Sequence, residues 1–113
     1  MKSETFMING ENYSVRIGKN AVDNWEIIDS SNNHDLWFHL DNAPSCHLIL
    51  SVNDNNTKID RKVIRRCAYL CKINSKPSKF SNKTAVIYAP IQQIEKTDKI
   101  GQVYVKSSKS VYV

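Results

Sequence analysis

The chain has 113 residues, of which 41 % are hydrophobic and 24 % charged, with a formal net charge of +5 at pH 7. That is one domain's worth of material, with apolar residues for a single two-layer core and not for two. No apolar run approaches the roughly 20 residues that cross a bilayer, and the opening Met-Lys-Ser-Glu-Thr-Phe lacks a signal peptide's layout.

Three cysteines are too few for a disulfide framework, so the expected setting is soluble, reducing and cytoplasmic.

Residues 5–8 and 13–17 flank Asn9-Gly10, a dipeptide that between apolar runs marks a tight hairpin. Gly18-Lys19-Asn20 stops the second strand. Residues 21–28 follow as a short helix, with Val22, Trp25 and Ile28 on one face. Ser30-Ser31-Asn32-Asn33 is a loop. Residues 36–40 and 47–52 are strands joined across Asp41-Asn42-Ala43-Pro44, where Pro44 has no N–H for a ladder.

After a polar loop over 53–57, the spacing predicts a helix over 59–73. At 100° per residue Val63, Ile64, Cys67, Leu70 and Cys71 fall within an arc of about 120°. Lys58, Arg61, Lys62, Arg65, Arg66, Lys72 and Lys76 occupy the facing arc, with Tyr69 among them. Residues 74–83 form a basic loop that holds Pro77 and Lys79. Residues 84–89 are a β-branched strand stopped by Pro90, and 102–105 with 110–113 suggest a second hairpin across 106–109. Strands arrive as hairpins rather than in βαβ alternation, so the class is α+β. The expected architecture is a largely antiparallel β-sheet of hairpins with one long amphipathic basic helix and one short helix.

Charge is concentrated in one stretch. Residues 58–83 hold nine basic side chains against Asp60 alone, whereas the first 57 residues are net acidic. A field that local points to an anionic partner, and nucleic acid is the commonest polyanion. An acidic protein surface, or a face kept basic for solubility, is the competing explanation. Lysines and arginines along one helix face can follow a phosphate backbone and release its counterions. Tyr69 either stacks on an unpaired base or covers the stems of Arg65 and Lys72. Lys19 and Asn20 open the short helix, where backbone N–H groups favour an anion. There Asn20 is also a natural N-cap. Asn24 either reaches the same place or bonds a loop.

Trp37 and His39 share one strand face and Leu36, Phe38 and Leu40 the other. The first pair offers an aromatic surface for a base or sugar, or forms a second buried layer. His47 on the next strand can pair with His39 or with Asp35.

Catalysis finds little support. Cys46 and His47 are neighbours on a strand and point to opposite faces. A thiol nucleophile would therefore need His39 or His34 as its base, and no oxyanion loop accompanies it. Cys67 and Cys71 with His39 and His47 are metal-type donors, yet both cysteines lie in the apolar arc as core thiols. Three glycines in the chain leave no phosphate-cradling loop. Neither a metal nor a cofactor is expected.

The most distinctive run is Asp35-Leu36-Trp37-Phe38-His39, followed by Pro44-Ser45-Cys46-His47. Further blocks are Gly18-Lys19-Asn20, Asn24, Asn74-Ser75-Lys76, Val86-Ile87-Tyr88 and Ile100-Gly101-Gln102-Val103. Their order over residues 5–113 resembles the NFACT-R family, the RNA-binding module of the ribosome quality-control factors NEMF and RqcH. Three positions depart from the family pattern. Lys19 stands where Arg is usual and loses the planar fork. Ser45-Cys46 replaces Gly-Ser, which alters the turn before His47. Ile100 replaces a Pro.

The resemblance implies RNA as partner, tRNA or ribosomal RNA, with a link to translation and the ribosome. It also implies that Asn24, Asp35, Trp37, His39, His47 and Ser75 line the site. DNA is the second candidate, because phosphate contacts do not discriminate without reading the 2′-OH. The larger factors' N-terminal domain and coiled coil have no counterpart here, so one stand-alone domain over 1–113 is expected, without the nascent-chain tailing of the whole factors. The expected contact set is Lys19, Asn20, Lys58, Arg61, Lys62, Arg65, Arg66, Tyr69, Lys72, Lys76 and Lys79.

Overall fold

A computed structural model describes residues 2–41, 43–52, 59–75 and 83–113. In chain order the elements are β1 (Lys2–Ile8), β2 (Glu11–Gly18), α1 (Ala21–Asp29), β3 (Leu36–Leu40), β4 (His47–Leu50) and α2 (Arg61–Ile73). They continue with β5 (Ala85–Pro90), a 3-10 turn (Ile91–Gln93), β6 (Ile94–Lys96), β7 (Val103–Val105) and β8 (Lys109–Tyr112). Asn9 and Gly10 take φ of 54° and 81°, the two left-handed residues that a two-residue hairpin turn requires. They join β1 to β2 in register from Ile8 opposite Glu11 to Lys2 opposite Ile17.

The main sheet has six strands in the order β1-β2-β4-β3-β5-β8. Every neighbouring pair is antiparallel, so the class is α+β as the hairpin pattern implied. A separate two-stranded ribbon pairs β6 with β7.

Alternation along the strands divides the core in two. On one face Val15, Ile17, Phe38, Leu40, Leu48 and Leu50 pack on Val63, Cys67 and Cys71 of α2. On the other, Trp37, Ile49 and Ala89 pack on Ile27 and Ile28 of α1 and on Ile91 and Ile94. Three layers thus stand where composition suggested two. Central strands that are apolar at consecutive positions, such as Trp37-Phe38 and Leu48-Ile49, must be covered on both sides.

Both edges of the sheet also reach α2. Arg66 lies 5.4 Å from the centroid of the Phe6 ring on β1, and Lys72 Nζ donates to the carbonyl of Val113 beyond β8 at 3.0 Å. The sheet therefore curls around the long helix.

Four expectations need correction. The buried face of α1 is Asn24, Ile27 and Ile28, while Val22 is exposed. Its rotation is set by close approach, since a Cβ on Gly101 would lie 2.7 Å from Ala21 and one on Gly18 would meet Asn24 Oδ1. The second hairpin does not form: β7 pairs with β6 and β8 with β5. The 3-10 turn brings β6 alongside β7, and Thr84 and Val113 bond each other in both directions, extending the β5–β8 ladder.

β4 stops at Leu50 because the next inward N–H, that of Val52, is taken by Asp35 Oδ1 at 3.0 Å. Finally, α2 starts at Arg61, since Asp60 is its N-cap and accepts from the Lys62 N–H at 2.7 Å.

Candidate nucleic-acid interface

The α2 helix turns one face inward through Val63, Cys67, Ala68, Leu70 and Cys71. Its 100° step then places Arg61, Lys62, Arg65, Arg66 and Tyr69 outward, all exposed. Lys62, Arg65, Arg66 and Tyr69 line a shallow depression of about 550 Å³ with Ile8 and Val113 from the two sheet edges. Among the described residues none of Arg61, Lys62, Arg65 and Arg66 has a carboxylate within ion-pair distance. Arg66 is also held over the Phe6 ring, while Arg61, Lys62 and Arg65 present their charge outward. Lys72 is half-buried at the margin of this face, on the Val113 carbonyl. Tyr69 is half exposed, with its ring available beside the cations. Lys58, Lys76 and Lys79 lie outside the described residues.

The Lys19 loop belongs to the opposite side of the sheet. Asn20 is the N-cap of α1, its Oδ1 accepting from the Asp23 N–H at 2.9 Å. Lys19 beside it is exposed. Asn24, one turn on, is buried, and its Oδ1 has no hydrogen-bond partner among the described residues.

Asn24 forms one wall of a cavity of about 610 Å³ on this second face, with Trp37, His39, His47, Ile87 and Gln102 among its lining. Trp37 Nε1 donates to His47 Nδ1 at 3.1 Å. The Trp37 and His39 rings stack at 5.4 Å and 18°, and His39 meets His47 edge-on at 5.1 Å. His39 Nδ1 bonds the carbonyl oxygen of Leu40 at 2.6 Å. Burial, and secondarily the charge of His39, pushes His47 down to about 3. Burial also lowers His39, against the pull of the Leu40 carbonyl and Asp41. Both shifts favour the uncharged ring at neutral pH, because burial disfavours the charged form.

Asp35 and Ser75 are placed elsewhere. Asp35 precedes the opposite end of β3 from the cavity. Its carboxylate accepts from the N–H groups of Asn32 at 2.9 Å and Val52 at 3.0 Å and stands 3.9 Å from Arg16. It ties strand ends together and does not touch His47, whose partners are Trp37 and His39. Ser75, at the end of α2, donates to the Cys71 carbonyl at 2.6 Å and accepts from the Cys46 N–H at 3.1 Å.

The thiols of Cys46 and Cys71 are 3.9 Å apart within the same knot. Hydrogen bonding from Cys71 and then Ser75 brings Cys46 down to about 7 despite burial. The same contact with Cys46, together with burial, drives Cys71 up. Cys46 therefore bonds to Cys71 and Ser75 rather than to a histidine base. Cys67 and Cys71 face α2's side of the sheet and His39 and His47 the other, so the four cannot share an ion. Among the described residues no group of three or more His, Cys, Asp or Glu is placed to hold a metal.

Ile87 and Gln102 were not singled out from sequence as site residues. Ile87 had a signal, as part of the Val86-Ile87-Tyr88 block, and the β5–β3 pairing stands it directly opposite His39. Gln102 had one as well, as part of the Ile100-Gly101-Gln102-Val103 block, though only the β6–β7 pairing brings it to the cavity.

No helix among the described residues is long and apolar enough to cross a membrane. The chain is similar to coiled-coil domain-containing protein 25 of Mus musculus and of Bos taurus, 29 % identical over 110 residues in each case. Each match covers 94 % of this chain and 53 % of the relative, so the chain spans about half the length of these curated relatives.

Among solved structures it is similar to the C-terminal part of the fibronectin/fibrinogen-binding protein from Streptococcus suis. That match has a TM-score of 0.81 and 25 % identity, covering 100 % of this chain and 45 % of the other. The family model described as "NFACT protein RNA binding domain" matches residues 3–110. That span takes in the basic helix, the aromatic–histidine cavity and the sheet between them. The chain belongs to the NFACT RNA-binding domain family.

Proposed function

We propose that the chain binds tRNA or ribosomal RNA through the exposed face of α2, as one cytoplasmic module serving translation, and performs no chemistry of its own. The observation that carries this reading is the row of Arg61, Lys62, Arg65 and Arg66 beside an exposed Tyr69, without compensating carboxylates among the described residues. Cations spaced along a rigid helix meet successive phosphates and read shape more than sequence. Lys19 adds a cation on the other side of the sheet, and Lys58, Lys76 and Lys79 extend the basic stretch in sequence. Membership in an RNA-binding domain family supports the same class of partner.

The test is a titration with labelled tRNA and with duplex DNA of equal length at two salt concentrations. With about four phosphates neutralised, affinity falls about a hundredfold between roughly 50 and 200 mM salt. The Arg61→Glu/Arg65→Glu double variant loses binding, and tRNA is preferred over DNA. If DNA binds as tightly, RNA is not the selected partner. If neither binds at low salt, the basic face serves an acidic protein surface instead.

A further inference from the structure

The connection that leads into β4 sets one thiol against another. Cys46, just before β4, and Cys71, in the last turn of α2, bring their sulfurs to 3.9 Å. Each sulfur also lies against the other residue's backbone. Cys46 Sγ is 3.5 Å from the Cys71 carbonyl oxygen, and Cys71 Sγ is 3.9 Å from that of Cys46. With the two backbones held this close, a bond between the sulfurs asks for side-chain rotation more than for movement of the chain.

The two thiols are unequal. Cys71 is fully buried while Cys46 keeps 6 % of its surface exposed, so a water-sized oxidant meets Cys46 first. Hydrogen bonding from Cys71 and then Ser75 holds Cys46 at about 7 despite burial, and the charge of Lys19 acts in the same direction. A large share of Cys46 is therefore thiolate at neutral pH, the form that attacks an electrophile. Contact with Cys46, together with burial, keeps the proton on Cys71. Cys67, one turn earlier on α2, is fully buried in the core and is pushed up by that burial.

We propose that Cys46 is a site of oxidation by hydroperoxides, and that Cys71 resolves it as a reversible disulfide joining the last turn of α2 to the residue preceding β4. The Cys46 thiolate attacks one peroxide oxygen, forming an S–O bond as the O–O bond breaks. The departing hydroxide becomes water with the proton that Cys46 had released. Cys71 then attacks the Cys46 sulfur, forming the S–S bond as the S–O bond breaks, and its proton leaves with the hydroxide as a second water. The two thiols together lose two electrons, and one hydrogen peroxide is reduced to two waters. A dithiol reductant returns both electrons by exchange. The reaction modifies the chain, turns over no substrate and needs nothing from the RNA-binding reading.

The test uses the full chain, reduced with dithiothreitol, freed of it, and treated in native buffer with about a tenfold excess of hydrogen peroxide. Remaining thiols are alkylated in denaturant, and intact mass and peptide maps are read. The expected product before alkylation is a monomer about 2 Da lighter, with Cys46 joined to Cys71 and Cys67 free to alkylate. Dithiothreitol restores the original mass. Because the bridge spans 25 residues of chain, the bridged form melts about 5–15 °C above the reduced one. Cys67→Ala still forms the bridge, and Cys46→Ser does not.

The proposal is overturned by a wild-type chain that keeps three alkylatable thiols. It is equally overturned by one that gathers oxygens on Cys46 without a bridge, or that pairs through Cys67 or with a second copy. The same mixture of bridges in native buffer and in about 8 M urea would mean pairing through the unfolded chain, and sinks it too. So does a bridged form that melts no higher than the reduced one, since the bond would then form only at the expense of the fold. The wild-type masses decide the matter even where a variant fails to fold.

Discussion

The indole of Trp37 and the imidazole of His47 meet in one buried hydrogen bond, 3.1 Å from Nε1 to Nδ1. Through it the two middle strands of the sheet share a polar joint inside a mostly apolar layer. Such a joint costs little while both partners are present and much when one is removed.

Trp37→Phe leaves His47 Nδ1 buried without its donor and destabilises the domain by about 1–3 kcal/mol beyond the loss of ring volume. His47→Leu strands the indole N–H in the same way. The double variant is less destabilised than the two singles combined, with a coupling of about 1 kcal/mol. Urea unfolding of the four proteins gives the cycle, and additive losses would mean that the bond contributes nothing.

Acid has a definite sign here. His47 titrates at about 3 in the folded chain against an ordinary 6.5, so the unfolded chain takes up the proton first. Its contribution is complete above pH 6.5 and is lost as pH falls toward 3. The loss runs at about 1.4 kcal/mol per pH unit. His39, also lowered, acts in the same direction. Unfolding free energies measured from about pH 7.5 to 5, above most carboxylate titration, should slope less in His47→Leu than in the wild type. Equal slopes would show that His47 is protonated in the native domain.

Gly10 and Gly101 both have left-handed φ, 81° and 84°, but only Gly101 is hemmed in, by Ala21. Gly10→Ala costs about 1 kcal/mol for the backbone alone. Gly101→Ala adds a clash against α1 and costs about 2–4 kcal/mol. Thermal denaturation ranks the two, and a Gly101 variant as stable as the Gly10 variant would remove the packing argument.

Local chemistry was readable where it acts alone. Asn9-Gly10 specifies its turn without help, and the apolar spacing of Val63, Cys67, Leu70 and Cys71 orients α2. The parity of Trp37 and His39 against Phe38 and Leu40 assigns the two faces of β3. Long-range choices were not readable. Ile94-Glu95-Lys96 has a single apolar residue, so nothing marks it as the partner that takes Val103–Val105 away from β8. The rotation of α1 follows from backbone contacts with Gly18 and Gly101, which no helical period records. The candidate cavity was legible only in pieces. Its walls from α1, β3, β4 and β5 meet because β4 inserts between β2 and β3, out of chain order.

The knot of Ser45, Cys46, Cys71 and Ser75 has a mechanical meaning. Ser45 Oγ holds the Leu40 N–H at 3.0 Å and reaches Ser75 Oγ at 3.3 Å, while Cys46 is bonded to Ser75. The short connection that rims one face of the sheet is thereby stapled to the last turn of the helix on the other. The knot thus couples the two faces of the sheet, so a change at the last turn of α2 is transmitted to the rim that carries Leu40 and His39.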